Sequence, residues 1–542
     1  MKQKLFQVAI LALSSLFLLP SCTRELDLQP TNDVTSEVVY ATPGGYKQVL
    51  AKVYGSFALT GNIGPAAPAG IPGDIQGIDE GFSDFFRLFW KAQELSTDEA
   101  VIAWGDAGIQ DFHNMNWGSN NNFLRGLYYR CMYQITLCND FIRECADDKV
   151  ANRGITGADA DNIRQYAREA RFLRAFQYWV LMDLYGNPPF VTETSPIGGP
   201  PPPQIKRADL FDYVESELLA LEPDMPATNE YGRATRAAVQ ALLARLYLNA
   251  QVYTQNPANS QPGPARFTDA ATYAKKVIDA GYTLINEYPM LMRADNHLHT
   301  DEFIFTINYD GTRTQGFGGT TFLTHAAVGG SIPAASFGVK DGWGGIRTTK
   351  NLPNLFPDLT GSQDKRALFY TDGQNIEINS QYEFKDGLGV TKFRNLNMDG
   401  SIGSSQEYSD IDMPLFRIAE MYLIYAEAVL RGGAGDPALA LSYINKLRGR
   451  AYDNNPNSTV GNISQGQLTL DFILDERARE LYWEGFRRTD LIRYNKFVEG
   501  TYLWPWKGGV ASGTGVAAFR KLYPLPSSDL NANPNLIQNP GY

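Results

Sequence analysis

The feature that most constrains this chain is a recurrence of long helical patterns in two blocks, 122–281 and 414–497, held apart by a stretch of different composition. In the first block Asn122 to Cys145 repeats apolar residues at helical spacing: Phe123, Leu124, Leu127, Tyr128, Cys131, Ile135, Cys138 and Ile142. Ala158 to Tyr185 carries a stripe of Phe172, Phe176, Trp179, Val180 and Met182, and Gly186-Asn187-Pro188-Pro189 stops it. Arg207 to Leu221, Thr235 to Tyr253 and Asp269 to Ala280 follow; Ala237, Ala241 and Ala244 would let a neighbouring helix approach closely. In the second block Pro414 to Leu430 pairs with Asp436 to Arg450 across Gly432-Gly433, and Leu468 to Glu484 pairs with Arg488 to Phe497 across Gly485. Repeated antiparallel pairs with small-residue contacts predict a mainly α scaffold stacked in the right-handed manner of tetratricopeptide repeats.

The separating stretch, about 282–413, predicts a loop-rich insertion, the usual place for a binding surface. Between Gly311 and Gly345 there are ten Gly in 35 residues, interleaved with Phe317, Phe322, Phe337 and Trp343. Four large aromatics argue against a disordered linker. Ile376-Glu377-Ile378 and Val390-Thr391-Lys392-Phe393 alternate as small strands do. Upstream, Ala41 to Phe57 predicts a helix, and a Gly-, Pro- and Ala-rich loop runs from Gly61 to Gly77. Two acidic and aromatic segments follow it, Asp79 to Arg87 and Thr97 to Trp104.

At the N-terminus Lys2 and Lys4 precede an apolar run from Leu5 to Leu19, ended by Pro20-Ser21-Cys22. A charged start, a short apolar core and a small residue before the break predict a secretory signal over 1–21, and the run is too short for an anchor helix. Residues 22–40 read as a polar tether and 41–542 as a single body. Removing the signal takes two Lys and no acids, so the net charge of −11 becomes −13. That acidity argues against nucleic acid as a partner, since binding it rests on neutralising phosphates with Lys and Arg. The remaining cysteines, Cys131, Cys138 and Cys145, are seven apart on one predicted helix. At about 1.5 Å per residue they lie roughly 10 Å apart, too far for disulfides or a metal cluster, which leaves them as small core residues.

Candidate catalytic groups are few. Glu476, Glu480 and Glu484 recur at i+4, but Arg477, Arg479, Arg487 and Arg488 are interleaved, which predicts a structural ion-pair network. Asp79/Glu80 and Asp98/Glu99 are the better acid candidates; they could equally accept hydrogen bonds from sugar hydroxyls or cap turns. His297 and His299 with Asp295 lack a third ligand at a supporting spacing and read as exposed loop residues. A structural Ca²⁺ could sit in the acidic loops, and no other cofactor is expected. A Gly-x-Ser-x-Gly elbow, a Walker loop and a dinucleotide fingerprint are all missing.

Seven segments in order resemble the SusD/RagB family of outer-membrane lipoproteins of Bacteroidota. They are the Leu19-Pro20-Ser21-Cys22 lipobox, Arg168 to Ala175, Gly232 to Leu248, Pro414 to Glu420, Ile444 to Arg448, Glu476 to Leu481, and a C-terminus of Leu522-Tyr523-Pro524-Leu525-Pro526 with Gln538 to Tyr542. The resemblance implies eight core helices in four tetratricopeptide-like pairs and a lipid on Cys22 that anchors the protein to the outer membrane, facing the cell surface. It also implies no catalysis, and a role as a glycan-binding lid on a SusC-type TonB-dependent transporter. Asp79 to Arg87, Thr97 to Trp104, Phe317 to Trp343 and Leu503 to Gly509 are most similar to the starch-binding namesake of the family. There an arc of three aromatics matches Trp104, Phe317 and Trp343, and a sugar-binding arginine matches Arg87. Tyr is replaced by Phe317, which keeps the stacking face and drops a hydroxyl, and an Asn is replaced around Asp106 and Ala107.

The chemistry accords with that likeness, because the C–H faces of sugars pack on flat rings while rim hydroxyls need oriented polar groups. The expected ligand is an α-glucan of starch or maltooligosaccharide type, on Trp104, Phe317 and Trp343 with Arg87 and Asp106. The alternatives are a glycoside hydrolase acting on the same polymer, a lid for another glycan or a peptide, and rings that merely pin their loops to the body.

Overall fold

The computed structural model describes residues 35–62, 73–76, 78–256 and 261–542. The signal over 1–21, Cys22 and most of the tether lie outside the described residues. Among those that are described, the helices used below are α1 (Pro43–Gly55), α2 (Phe85–Glu94), α3 (Asn122–Glu144), α4 (Gly157–Leu184), α5 (Arg207–Leu221) and α6 (Arg236–Leu248). They continue with α7 (Phe267–Ile278), α8 (Gly319–Ala326), α9 (Ile418–Leu430), α10 (Pro437–Asp453), α11 (Leu470–Leu481) and α12 (Arg487–Arg493).

Eight of these form the scaffold as a packed series: α3 lies against α4, α4 against α5, α5 against α6, α6 against α7, α7 against α9, and α9 against both α10 and α11. Local chemistry starts and stops them. Asn121 accepts from the backbone N–H groups of Phe123 and Leu124, Thr235 from that of Ala238, and Thr469 from that of Phe472. Gly186 and Gly432, with φ of 76° and 91°, turn the chain out of α4 and α9 in a conformation that costs glycine little. Ala237, Ala241 and Ala244 are buried, as close packing of α6 requires. Cys131, Cys138 and Cys145 are free and buried along α3 and its cap.

The insertion separates α7 from α9, which pack against each other. Strands β2 (Phe303–Ile307) and β6 (Met413–Arg417) pair antiparallel across its base, with two register irregularities, so it leaves and re-enters the scaffold at one place. Residues 413–417 are therefore a strand, where the pattern from Pro414 had predicted the start of a helix. Ile376-Glu377-Ile378 is an irregular bend, with Ile378 buried, and not a strand. Of the run from Val390 to Phe393 only Val390 belongs to a strand, β5 (Gly389–Val390), paired with β4 (Phe369–Tyr370). Lys392 leaves that ladder because its Nζ reaches inward to Glu484 at 2.6 Å and to the Tyr482 carbonyl at 2.7 Å.

Beneath the insertion the glutamates of α11 meet its arginines. Arg417 donates to Glu302, Glu480 and Glu484 at 2.7–2.8 Å, and Arg366 donates to Asp364 and Glu476. Surrounding guanidinium groups overcome burial and hold Glu476 and Glu480 far below the usual carboxylate range. These acids hold the insertion to the scaffold and are enclosed in it.

Candidate functional site

The site is assembled from α2 and three loops. Asp84, the cap of α2, accepts from Arg87 N at 2.7 Å and from Gly319 N at 3.0 Å, so one carboxylate ties the helix start to the Gly-rich loop. Glu80 Oε1 accepts from Phe317 N at 2.8 Å. A Cβ at Gly318 would come within 2.0 Å of the Asp84 carboxyl carbon, so only glycine permits this clamp. Burial, reinforced by Asp84, pushes Glu80 up to about 7 against the opposing bond from Phe317 N. Burial raises Asp84 as well.

A two-residue ribbon brings the tryptophans together. Strand β1 (Val101–Ile102) pairs with β3 (Ile346–Arg347), and Ala103 N extends it by donating to the Gly345 carbonyl at 2.9 Å. Trp104 Nε1 then donates to the Trp343 carbonyl at 2.9 Å. The Trp104 and Trp343 centroids are 6.5 Å apart with planes at 41°, and Phe317 meets Trp343 at 6.0 Å and 71°. All three rings are half-buried, so each has one part in the body and one toward solvent. The fold thus brings together the three aromatics that the sequence singles out, on a curved surface.

Arg87 lies among them. Its Nη1 donates to the Phe317 carbonyl at 2.9 Å, and its Cζ is 5.5, 4.9 and 5.9 Å from the Trp104, Phe322 and Trp343 ring centroids. Nε is buried without a hydrogen-bond partner among the described residues, and Nη2 donates to none of them. Burial lowers the guanidinium's pKa, while Asp84, Glu80, Asp79 and Asp106 support its charge. Asp106 is exposed on the loop that follows Trp104, at the rim.

Two contributors, Tyr408 and His325, have no local sequence signal, whereas Glu80 is one of the acids the sequence singles out. Tyr408 sits 5.7 Å from Phe317 and extends the arc by a fourth half-buried ring. Glu80 is set by its bond to Phe317, and His325 stacks on Trp343 at 4.8 Å and 21°. Asp98 and Glu99 do not line the site, contrary to the expectation for these acids. Both are buried, Asp98 bound twice by Arg487 at 2.7 Å and Glu99 placed against Trp483 N and Glu94. Asp79 caps a turn by accepting from Gly81 N at 2.8 Å. His297 and His299 are exposed, and among the described residues no group of three or more His, Cys, Asp or Glu could hold a metal ion.

The family model described as the SusD family matches residues 358–542. The starch-binding protein SusD of Bacteroides thetaiotaomicron is 34% identical over 100% of this chain and 99% of its own length. The chain belongs to the SusD family. A SusD-like protein P2 of Formosa agariphila is 27% identical over 81% of this chain and 85% of that protein. The SusD fold is seen again in surface glycan-binding protein A from Bacteroides fluxus, with TM-score 0.68, 21% identity, and coverage of 93% of this chain and 100% of that one. The corresponding protein of B. thetaiotaomicron, solved in complex with laminarihexaose, has TM-score 0.67 at 21% identity, covering 92% and 99%. No described helix is long and apolar enough to cross a membrane.

Proposed function

We propose that this SusD-family protein captures starch-type α-glucan on Trp104, Phe317 and Trp343, with Arg87 and Asp106 at the polar edge, and does no chemistry on it. The observation that carries the reading is the arc itself. Half-buried rings spaced 6.0 and 6.5 Å apart, with planes inclined at 71° and 41°, present successive faces to a coiled polymer and not to a flat ribbon. Rings of this kind hold the C–H faces of glucose units, and Arg87 Nη2 supplies a donor for hydroxyls. A neutral polymer is compatible with the acidic chain. Anchored by a lipid on Cys22 at the outer-membrane surface, the protein would pass bound oligosaccharide to a SusC-type TonB-dependent transporter. The non-catalytic reading has its own support, since Asp98 and Glu99 are enclosed, Asp79 caps a turn and Glu80 is bound to Phe317 N.

Affinity electrophoresis over a polysaccharide panel tests the ligand. Retardation is expected in amylopectin and glycogen gels and not in laminarin gels, with no new reducing ends when pure protein is incubated with starch. Retardation by laminarin alone would overturn the α-glucan reading, and release of reducing ends would make the protein a hydrolase.

A further inference from the structure

His325 lies in the last turn of α8, 1% exposed, with its ring flat against Trp343. Its Nδ1 is 2.9 Å from the Asp341 carbonyl oxygen and 3.1 Å from Asp341 Oδ1, and its Nε2 is 3.1 Å from the Glu407 carbonyl oxygen. Asp341 begins the turn that carries Trp343, and Glu407 precedes Tyr408. Both ring nitrogens therefore face oxygens that only accept. A neutral imidazole has one N–H and can satisfy one of the two carbonyls, leaving a lone pair against the other. An imidazolium donates to both.

We propose that His325 is a positioning residue and a proton-operated latch, which on protonation ties the Trp343 turn to the Tyr408 loop and tightens the glycan platform. The inference rests on the binding site proposed above. The groups around the ring are few. Asp341 lies on the Nδ1 side and Glu407, with its partner Lys340 at 2.9 Å, on the Nε2 side, next to Tyr408. α2, packed against α8, contributes Arg87 and Lys91, and α8 itself has no other titratable side chain. Burial pulls the imidazole below its usual pKa and Asp341 pushes it back. The ring is thus neutral at neutral pH and takes up its proton only below the usual imidazole range, with affinity rising in that direction.

The test reads the latch with and without ligand. Tryptophan fluorescence of wild type and His325→Gln is followed from pH 8 to pH 4.5, since a protonated imidazole stacked on an indole quenches it. A one-proton quench is expected in wild type and absent in the variant. Maltoheptaose should bind wild type about fivefold tighter at pH 5 than at pH 7.5, the equivalent of one net hydrogen bond, and the variant should lack that gain. Should the variant fail to fold, ¹⁵N-histidine spectra of wild type serve, with only four His in the chain. The bare His325 nitrogen should gain a proton on acidification, so that both nitrogens then carry N–H. Superimposable quench curves, or a single tautomer kept down to pH 4.5, would overturn the latch. Wild type that binds no glucan at any pH would sink the binding site alone, because fluorescence and nitrogen shifts need no ligand.

Discussion

Gly345→Ala moves a ring of the platform without removing it. A Cβ at 345 would lie 2.8 Å from Trp104 Cε2 and Cζ2 and 3.1 Å from Nε1. Carbon atoms rest at about 3.5–4.0 Å, so the indole must retreat by roughly 1 Å. That shift strains the 2.9 Å bond from Trp104 Nε1 to the Trp343 carbonyl. The position has no positive φ, so alanine adds no backbone strain. A well-placed aromatic contact is worth about 0.5–1.5 kcal/mol, which predicts binding of maltoheptaose weakened about 2- to 12-fold. The fold should be little affected, because one lost hydrogen bond costs about 1 kcal/mol and lowers Tm by about 2 °C or less in a chain this long. Gly105→Ala is the control, since a Cβ there meets nothing within 4 Å. Calorimetric titration of the three proteins, with thermal melts beside it, decides. Unchanged affinity with a lowered Tm would show that Trp104 pins its loop and does not touch ligand.

Two predictions concern the buried charges. Glu94 accepts from Gly485 N and Phe486 N, and burial pushes it up to about 7 against those bonds and the bond from Glu99. A carboxyl raised in the fold costs stability as pH climbs from its ordinary value to about 7, and the whole cost is present above that. Glu94→Gln keeps the accepting oxygen, so in urea titrations the variant should match wild type at pH 4.5 and gain on the order of 2–3 kcal/mol at pH 8; a loss at both pH values would refute this. Arg417→Met would leave Glu302, Glu480 and Glu484 short of a shared cation and should cost about 3–5 kcal/mol, seen as a lowered melting temperature, where a melt like wild type would contradict the account of the core.

The scaffold was legible where a helix has two distinct faces. Arg207–Leu221 falls on the expected bounds, α3 differs from expectation by one residue at its C-terminal end, and α4 by one residue at each end. α2 does not follow that rule: Arg87, Lys91 and Glu94 recur at helical spacing, yet nine of its ten residues are buried, so its polar stripe faces into the protein and not into solvent. β6 was hidden for another reason: its ladder partner, β2, lies more than a hundred residues upstream, and local propensity carries no trace of that pairing. At the site, Trp104, Phe317, Trp343 and Arg87 were named from family likeness, and the ribbon of β1 and β3 explains in physical terms why they meet. Asp98 and Glu99 show the limit of sequence proximity. They stand beside Trp104 in the chain, yet Arg487, 389 residues away, draws Asp98 into the core. Tyr408 enters through its contact with Phe317 in another loop.

Amylopectin affinity electrophoresis of wild type beside Trp104→Ala/Trp343→Ala tests the central claim most directly. Wild type should be retarded, and the double variant, folded by its melting curve, should run as it does in a gel without polysaccharide. Equal retardation of the two would place the glycan elsewhere on the protein, and free migration of both would remove starch as its ligand.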